Sequence, residues 1–308
     1  MKGARFETER EMVYDRVLIA VDGSDEARRA ARRGLELARA FEADVDVVYV
    51  IERSTLHLTR TEAEKSRLKE SAEAALGDIE ALASETGQSV ATELTDGKPA
   101  VRISECATER NADLIVVGRQ GQTGVGRRLL GGVTEKILNR SEVPVFVVPD
   151  GDSGSTNGYS RLLVPTDGSN NAEAAIPHGA AIGQHHGSDV HVLNVADLQA
   201  AGGMFDAGGV DTEFVDRLEE RGREAVEKVS GRIEEAAPNA TVMTATERTA
   251  SYGGAAATIR EYVEENEIDL IVMGSHGRSN LGRHVIGSVA SSVLRTVDVP
   301  VLVVTQPS

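Results

Sequence analysis

Apolar residues in this chain come in two arrangements that alternate from end to end. Short unbroken runs rich in Val, Ile and Leu are separated by longer stretches in which apolar and charged residues recur every three to four positions. The run Arg16 to Val21 reads as a buried strand, and Ser24 then stands as a helix cap before a segment with apolar residues at helical spacing through about Phe41. The same reading predicts strands at 45–51, 89–94, 113–117 and Val143 to Val148, and helices at 62–85, Pro99 to Arg110 and Gly132 to Asn139. Pro99 suits a first helical turn, where its missing N–H has no intrahelical use. Farther along, strands are expected at 161–166, 188–195, 240–247, 268–273 and 299–304, with helices at 170–185, 212–236, 254–266 and 287–296. Strands without polar alternation, separated by amphipathic helices, predict a mostly parallel sheet covered on both faces.

The chain is also written twice. RVLIAVDGSDEARRA at 16–30 returns as RLLVPTDGSNNAEAA at 161–175, and ADLIVVGRQGQTGVGRRLLGGV at 112–133 returns as IDLIVMGSHGRSNLGRHVIGSV at 268–289. The offset grows from 145 residues (Asp22 to Asp167) to 156 (Gly118 to Gly274), so eleven extra residues lie in the second half, between Val195 and Gly253. Some fall in ADLQAAGGMFDAGGVD, read as a surface loop or a lid. PDGDSGSTNGYS at 149–160 has almost nothing to bury and reads as the linker between the two units.

Chemistry concentrates in LIVMGSHGRSNLGRHVIGSVASS, Leu270 to Ser292. An apolar run ends in Gly274, Gly277 follows, and after nine residues Gly287-Ser288 opens a helix. Glycines let backbone approach a ligand, and N–H groups at a helix start offer donors to an anion, so this is a phosphate-cradling layout to which Ser288 adds a hydroxyl. The spacing differs from the Walker loop and from the dinucleotide fingerprint. It resembles the nucleotide-binding signature of the universal stress proteins. In open parallel sheets ligands bind beyond the carboxyl ends of strands where the strand order reverses, so Pro165-Thr166-Asp167, Asn194-Val195 and Met273-Gly274 should converge.

The resemblance implies two tandem doubly wound five-stranded parallel-sheet α/β domains, adenine nucleotide alpha hydrolase-like and Rossmann-like, over 13–149 and 160–306. It also implies an ATP-binding stress or signalling module, with Mg²⁺ accompanying the nucleotide. Asp167 would then bond the ribose or base, Val195 would read adenine through its backbone, and Gly274, Gly277, Gly287, Ser288 and the adjoining Val289 would hold the phosphates. Asp167 also reads as an Asx turn within D-G-S, and the two roles are compatible. The first half has Asp22, Val50, Gly118 and Gly121 in matching places, but its helix begins Gly131-Gly132 and lacks the hydroxyl, so its nucleotide loop is degenerate. Arg127 and Arg283 occupy equivalent loop positions, either facing phosphate or solvated.

Composition narrows the alternatives. A length of 308 residues suits two domains, and no apolar run reaches the roughly 20 residues of a membrane helix, so a cytoplasmic protein without membrane or signal segments is expected. A net charge of −16 argues against nucleic-acid partners. Only six lysines among 33 basic residues, with many acidic ones, resemble the composition of a high-salt cytoplasm. Cys106 reads as a helix-packing residue, and adjacent His185-His186 near a helix end, where the dipole favours imidazolium, lack metal-ligand spacing. His276 in S-H-G is not the H-x-G-H of nucleotidyl transferases, and no nucleophile–base set can be assembled. A slow ATP hydrolase or phosphotransferase and a ligand-free interaction scaffold are the alternatives. The strong apolar patterns of 143–148 and 299–304 are unsuited to bare edges, and the resemblance implies pairing of two units through these last strands, so the halves are expected to pair there, with homodimerisation left open.

Overall fold

Apolar runs with β-branched residues become strands, and all of them join one sheet. The computed structural model describes residues 14–52, 61–121, 129–151, 158–197, 212–249, 253–277 and 285–305. The first half contributes β1 (Arg16–Val21), β2 (Asp44–Glu52), β3 (Val90–Gly97), β4 (Leu114–Gly118) and β5 (Val145–Val148). The second contributes β6 (Arg161–Pro165), β7 (Asp189–Ala196), β8 (Thr241–Arg248), β9 (Leu270–Gly274) and β10 (Val301–Val304). The helices of the first half are α1 (Asp25–Ala40), α2 (Glu62–Glu85), α3 (Pro99–Glu109) and α4 (Gly132–Leu138). Those of the second are α5 (Asn170–Glu173), α6 (Ile176–His186), α7 (Thr212–Ala236), α8 (Gly254–Glu265) and α9 (Ser288–Thr296).

The strand order is β3-β2-β1-β4-β5-β10-β9-β6-β7-β8. Neighbours are parallel except β5 and β10, which run antiparallel with Phe146 opposite Leu302. The edges left by the two five-stranded units therefore cover each other, which removes one exposed apolar edge from each half. Alternate residues of each strand face opposite sides, so one core layer holds Ile19, Phe146, Val164 and Leu302 and the other holds Leu18, Val147, Leu163 and Val301. Both layers run across the boundary between the halves.

Three expectations need correction. The helix expected at 170–185 is two, α5 and α6, because Pro177 lacks an N–H and its ring collides with the carbonyl four residues back, so it is accommodated only in the first turn of α6. The last strands begin at Val145 and Val301 rather than two residues earlier, since Pro144 and Pro300 cannot donate to a ladder. Finally, 149–160 is not wholly polar filler: Tyr159 is buried, with its ring 6.3 Å from Phe146 and 5.9 Å from His186.

The α6 histidines join the halves. Tyr14 Oη and His178 Nδ1 share a buried hydrogen bond of 2.7 Å, and Phe41 packs 5.3 Å from His185. Burial pushes His178 down to about 4, and burial with the neighbouring His185 lowers His186, so desolvation outweighs the helix end that favours imidazolium in His186. Further polar links cross the same boundary. Arg119 Nη1 donates to the Val297 carbonyl (2.8 Å), and Ile286 N–H donates to Asn139 Oδ1 (2.6 Å).

Candidate functional site: two clefts at the strand ends

In each half the strand order reverses beside the first strand, between β1 and β4 and between β6 and β9. The chain leaves these strands in opposite directions and opens a crevice beyond their carboxyl ends. In the second half this crevice is a cavity of about 200 Å³. Pro165, Thr166, Asp167, Val195, Met273 and Gly274 line it at strand ends, with Gly277, Gly287, Ser288 and Val289 around the start of α9. All ten expected residues of the second half are thus brought together. Ala255 and Ile259 of α8, with Ser275 and His276, also line it. The α8 residues have no signal in sequence, because they arrive from a helix whose apolar face looks like any other.

The local folding of the wall is explicit in its hydrogen bonds. Asp167 Oδ1 accepts from Ser169 N–H (3.0 Å), and Ser169 Oγ accepts from Ala172 N–H (3.2 Å), which caps α5. The Asx turn read in D-G-S is therefore present. Asn194, buried at the end of β7, donates its amide to the Thr166 carbonyl (2.7 Å), tying the β6 turn to β7. Thr166 N–H bonds the Leu193 carbonyl (2.8 Å), so Leu193 faces β6. Backbone groups of every second residue point the same way along a strand, so Val195 faces the same side, past the point where β6 pairing ends at Pro165. Its N–H and C=O are directed into the crevice.

The glycines have distinct reasons. A Cβ on Gly277 would lie 2.6 Å from Asp167 Oδ2, so the carboxylate packs directly on this glycine. A Cβ on Gly274 would overlap the Asn171 carbonyl, so this glycine lets the backbone of α5 lie against the end of β9. Gly287 N–H donates to the Ser275 carbonyl (2.9 Å), which fixes the loop and leaves the N–H groups of Ser288, Val289 and Ala290 as the first turn of α9, without intrahelical partners. Ser288 is exposed at this turn. Ser275 Oγ and His276 Nδ1 share a 2.9 Å hydrogen bond, while the buried His276 Nε2 has no partner among the described residues.

The first-half cleft, about 520 Å³, gathers Asp22, Val50, Gly118, Gly121, Gly131 and Gly132. Asp22 Oδ1 accepts from the N–H (3.0 Å) and hydroxyl (2.6 Å) of Ser24, and a Cβ on Gly121 would overlap Asp22 Oδ2. Tyr49 stands where the second half has Asn194; burial, and then the Asp22 carboxylate, raise its phenol above the usual range. Arg127, Arg283, His284 and 198–211, which includes most of the segment read as a lid, lie outside the described residues. Cys106 is buried in α3 with its thiol pushed up by burial, in keeping with a packing role.

A family model described as the universal stress protein family matches residues 13–149 and again 158–305. A universal stress protein of Methanocaldococcus jannaschii is 37% identical over 142 residues, covering 45% of this chain and 84% of that protein. One from Mycolicibacterium smegmatis is 27% identical over 300 residues, covering 94% of this chain and 96% of its own length. Among solved structures, a universal stress protein from Archaeoglobus fulgidus superposes with a TM-score of 0.70 at 22% identity, covering 95% of this chain and 97% of its own.

Proposed function

Since this chain belongs to the universal stress protein family, we propose that its second half binds ATP and that the protein works as a nucleotide-holding stress or signalling module in the cytoplasm. The observation that carries this reading is the convergence of the outward-facing Val195 backbone, the Asp167 carboxylate and the first turn of α9 on one cavity. The first two suit a base and a ribose. The helix start, with its aligned N–H groups, partial positive charge and the Ser288 hydroxyl, suits phosphate. His276, with Nε2 unpartnered among the described residues, adds a donor on the same wall. The cavity of about 200 Å³ is smaller than the roughly 300–1,000 Å³ of common ligand pockets, so it takes the nucleoside end and leaves the phosphates at the mouth beside α9.

Magnesium fits this arrangement as an ion carried by the nucleotide. Among the described residues no three His, Cys, Asp or Glu side chains gather as a metal site. Mg²⁺ commonly keeps several waters and takes one or two carboxylates plus substrate phosphates, and Asp167 is the carboxylate at hand.

Isothermal titration with Mg-ATP tests the assignment. Ser288→Ala removes a hydroxyl donor to a charged group and should weaken binding about ten- to a hundredfold. Gly277→Val should abolish binding, because its side chain displaces Asp167 from the cavity wall. Parent-like ATP binding by Gly277→Val would place the nucleotide elsewhere. Phosphate release above a Gly277→Val blank would turn the reading from a holding module to a hydrolase.

A further inference from the structure

The two clefts share one half of their design and differ in the other, and from this difference we infer that the first cleft is a site for an unphosphorylated nucleoside rather than a nucleotide. The choice of a nucleoside as the ligand class rests on the nucleotide reading of the second cleft. The nucleoside side is common to both. Asp22 and Val50 hold the places of Asp167 and Val195, with Asp22 pinned by the Ser24 turn and packed on Gly121.

The phosphate side offers fewer side-chain donors. Gly132 replaces Ser288, and the hydroxyl that does occur nearby, on Thr134, donates to the Gly118 carbonyl (2.9 Å). Where the second cleft has His276, the first has Gln120, whose amide donates to the Leu129 carbonyl (2.6 Å). The Arg119 guanidinium turns away from the cleft to the Val297 carbonyl, Asp150 and Asp298 at the boundary between the halves. Among the described residues that line this cavity there is no Lys, Arg or His, whereas Asp22 and Glu52 bring two carboxylates. Two carboxylates on one wall disfavour an anion placed beside them.

The first cleft is also the wider of the two. Ile51 and Leu68 widen a cavity of about 520 Å³ that also has Tyr49, Ile103 and the exposed Leu129 on its walls, against about 200 Å³ in the second half. A flat aromatic ring system with a neutral sugar satisfies that surface without bringing charge into it, while a triphosphate would be desolvated beside two acids.

The test uses the full-length protein and reads each cleft separately by NMR, from the amide resonances of Val50 and Gly121 for the first and Val195 and Gly277 for the second. Adenosine and Mg-ATP are titrated in separate samples. Adenosine should shift the Val50 and Gly121 amides to saturation at a concentration at least tenfold below that needed by Mg-ATP. ATP saturating the first cleft at the same or a lower concentration than adenosine overturns the inference, as does adenosine leaving that set unmoved. ATP failing to move the second set would sink the nucleotide reading of the second cleft and leave the ranking at the first still measured. Gly132→Ser supplies a second arm, since a Cβ at Gly132 meets no atom within 4 Å. It should raise first-cleft affinity for Mg-ATP about tenfold or more and leave adenosine within twofold. Unchanged ATP affinity would show that the missing hydroxyl is not the discriminator and would also overturn the assignment.

Discussion

At the scale of single residues, the glycines that begin each loop are required first by the protein itself. Asp22 and Asp167 must sit at the strand ends, accept from the turn that starts the next helix and still present a carboxylate to the cleft. Only a residue without a Cβ leaves room for that oxygen at 121 and 277. Gly121→Ala should therefore lower stability even with no ligand present, by about 1–3 kcal/mol, the usual range for overpacking. Urea unfolding of the ligand-free protein checks this, and a midpoint equal to that of the parent would mean that Asp22 relaxes freely.

Among the elements, α4 and α9 each reach from one cleft to the boundary between the halves. Each starts at a cleft, and each is attached at or near one end to the opposite half: Asn139, just past α4, accepts from Ile286, and Val297, just past α9, accepts from Arg119. Arg119 is 2% exposed and lies within 4 Å of Asp150 and Asp298, so it neutralises local negative charge and satisfies a helix-end carbonyl together. Arg119→Ala should cost about 2–4 kcal/mol by removing a buried charged donor from its partners. Arg119→Lys should recover only part of it, because an ammonium does not reproduce the guanidinium fork. Denaturation midpoints of the two variants give the ranking, and equal losses would contradict it.

For the molecule as a whole, the boundary between the halves is sensitive to pH and the surface to salt. His178 is neutral when folded, its value lowered by burial from 6.5 to about 4. Between these values the unfolded chain binds more protons than the folded one, so stability rises with pH across that window. It should be fully present above pH ~6.5, fall as the pH drops, and level off below about 4, with a total loss of roughly 3 kcal/mol from this group. His178→Gln can keep a hydrogen bond to Tyr14 and does not titrate, so its melting temperature should fall less steeply over this window. A slope identical to the parent's would assign the acid sensitivity to other groups. The net charge of −16 should make the melting temperature climb between low and molar salt as self-repulsion is screened. A protein equally stable at both would fit an acidic chain without salt adaptation.

Much of this arrangement is legible along the chain because it depends on local spacing. Apolar runs and helical stripes mark the elements, the doubling is plain in RVLIAVDGSDEARRA and RLLVPTDGSNNAEAA, and the rule for parallel sheets brings Asp167, Val195 and Gly274 to one end from the order of elements alone. Adjacency of the last strands also follows from two apolar edges that must be covered. Tertiary structure alone decided which group each polar residue meets. Arg119 finds Val297 across 178 positions and Tyr14 finds His178 across 164, pairings with no period and no motif. It likewise gave the α6 histidines and Tyr159 to the boundary between the halves, Gly274 to α5 and Gly287 N–H to Ser275. Periodicity records which side of an element is buried; what lies on that side depends on how distant elements pack, and that is settled only when the sheet closes across both halves.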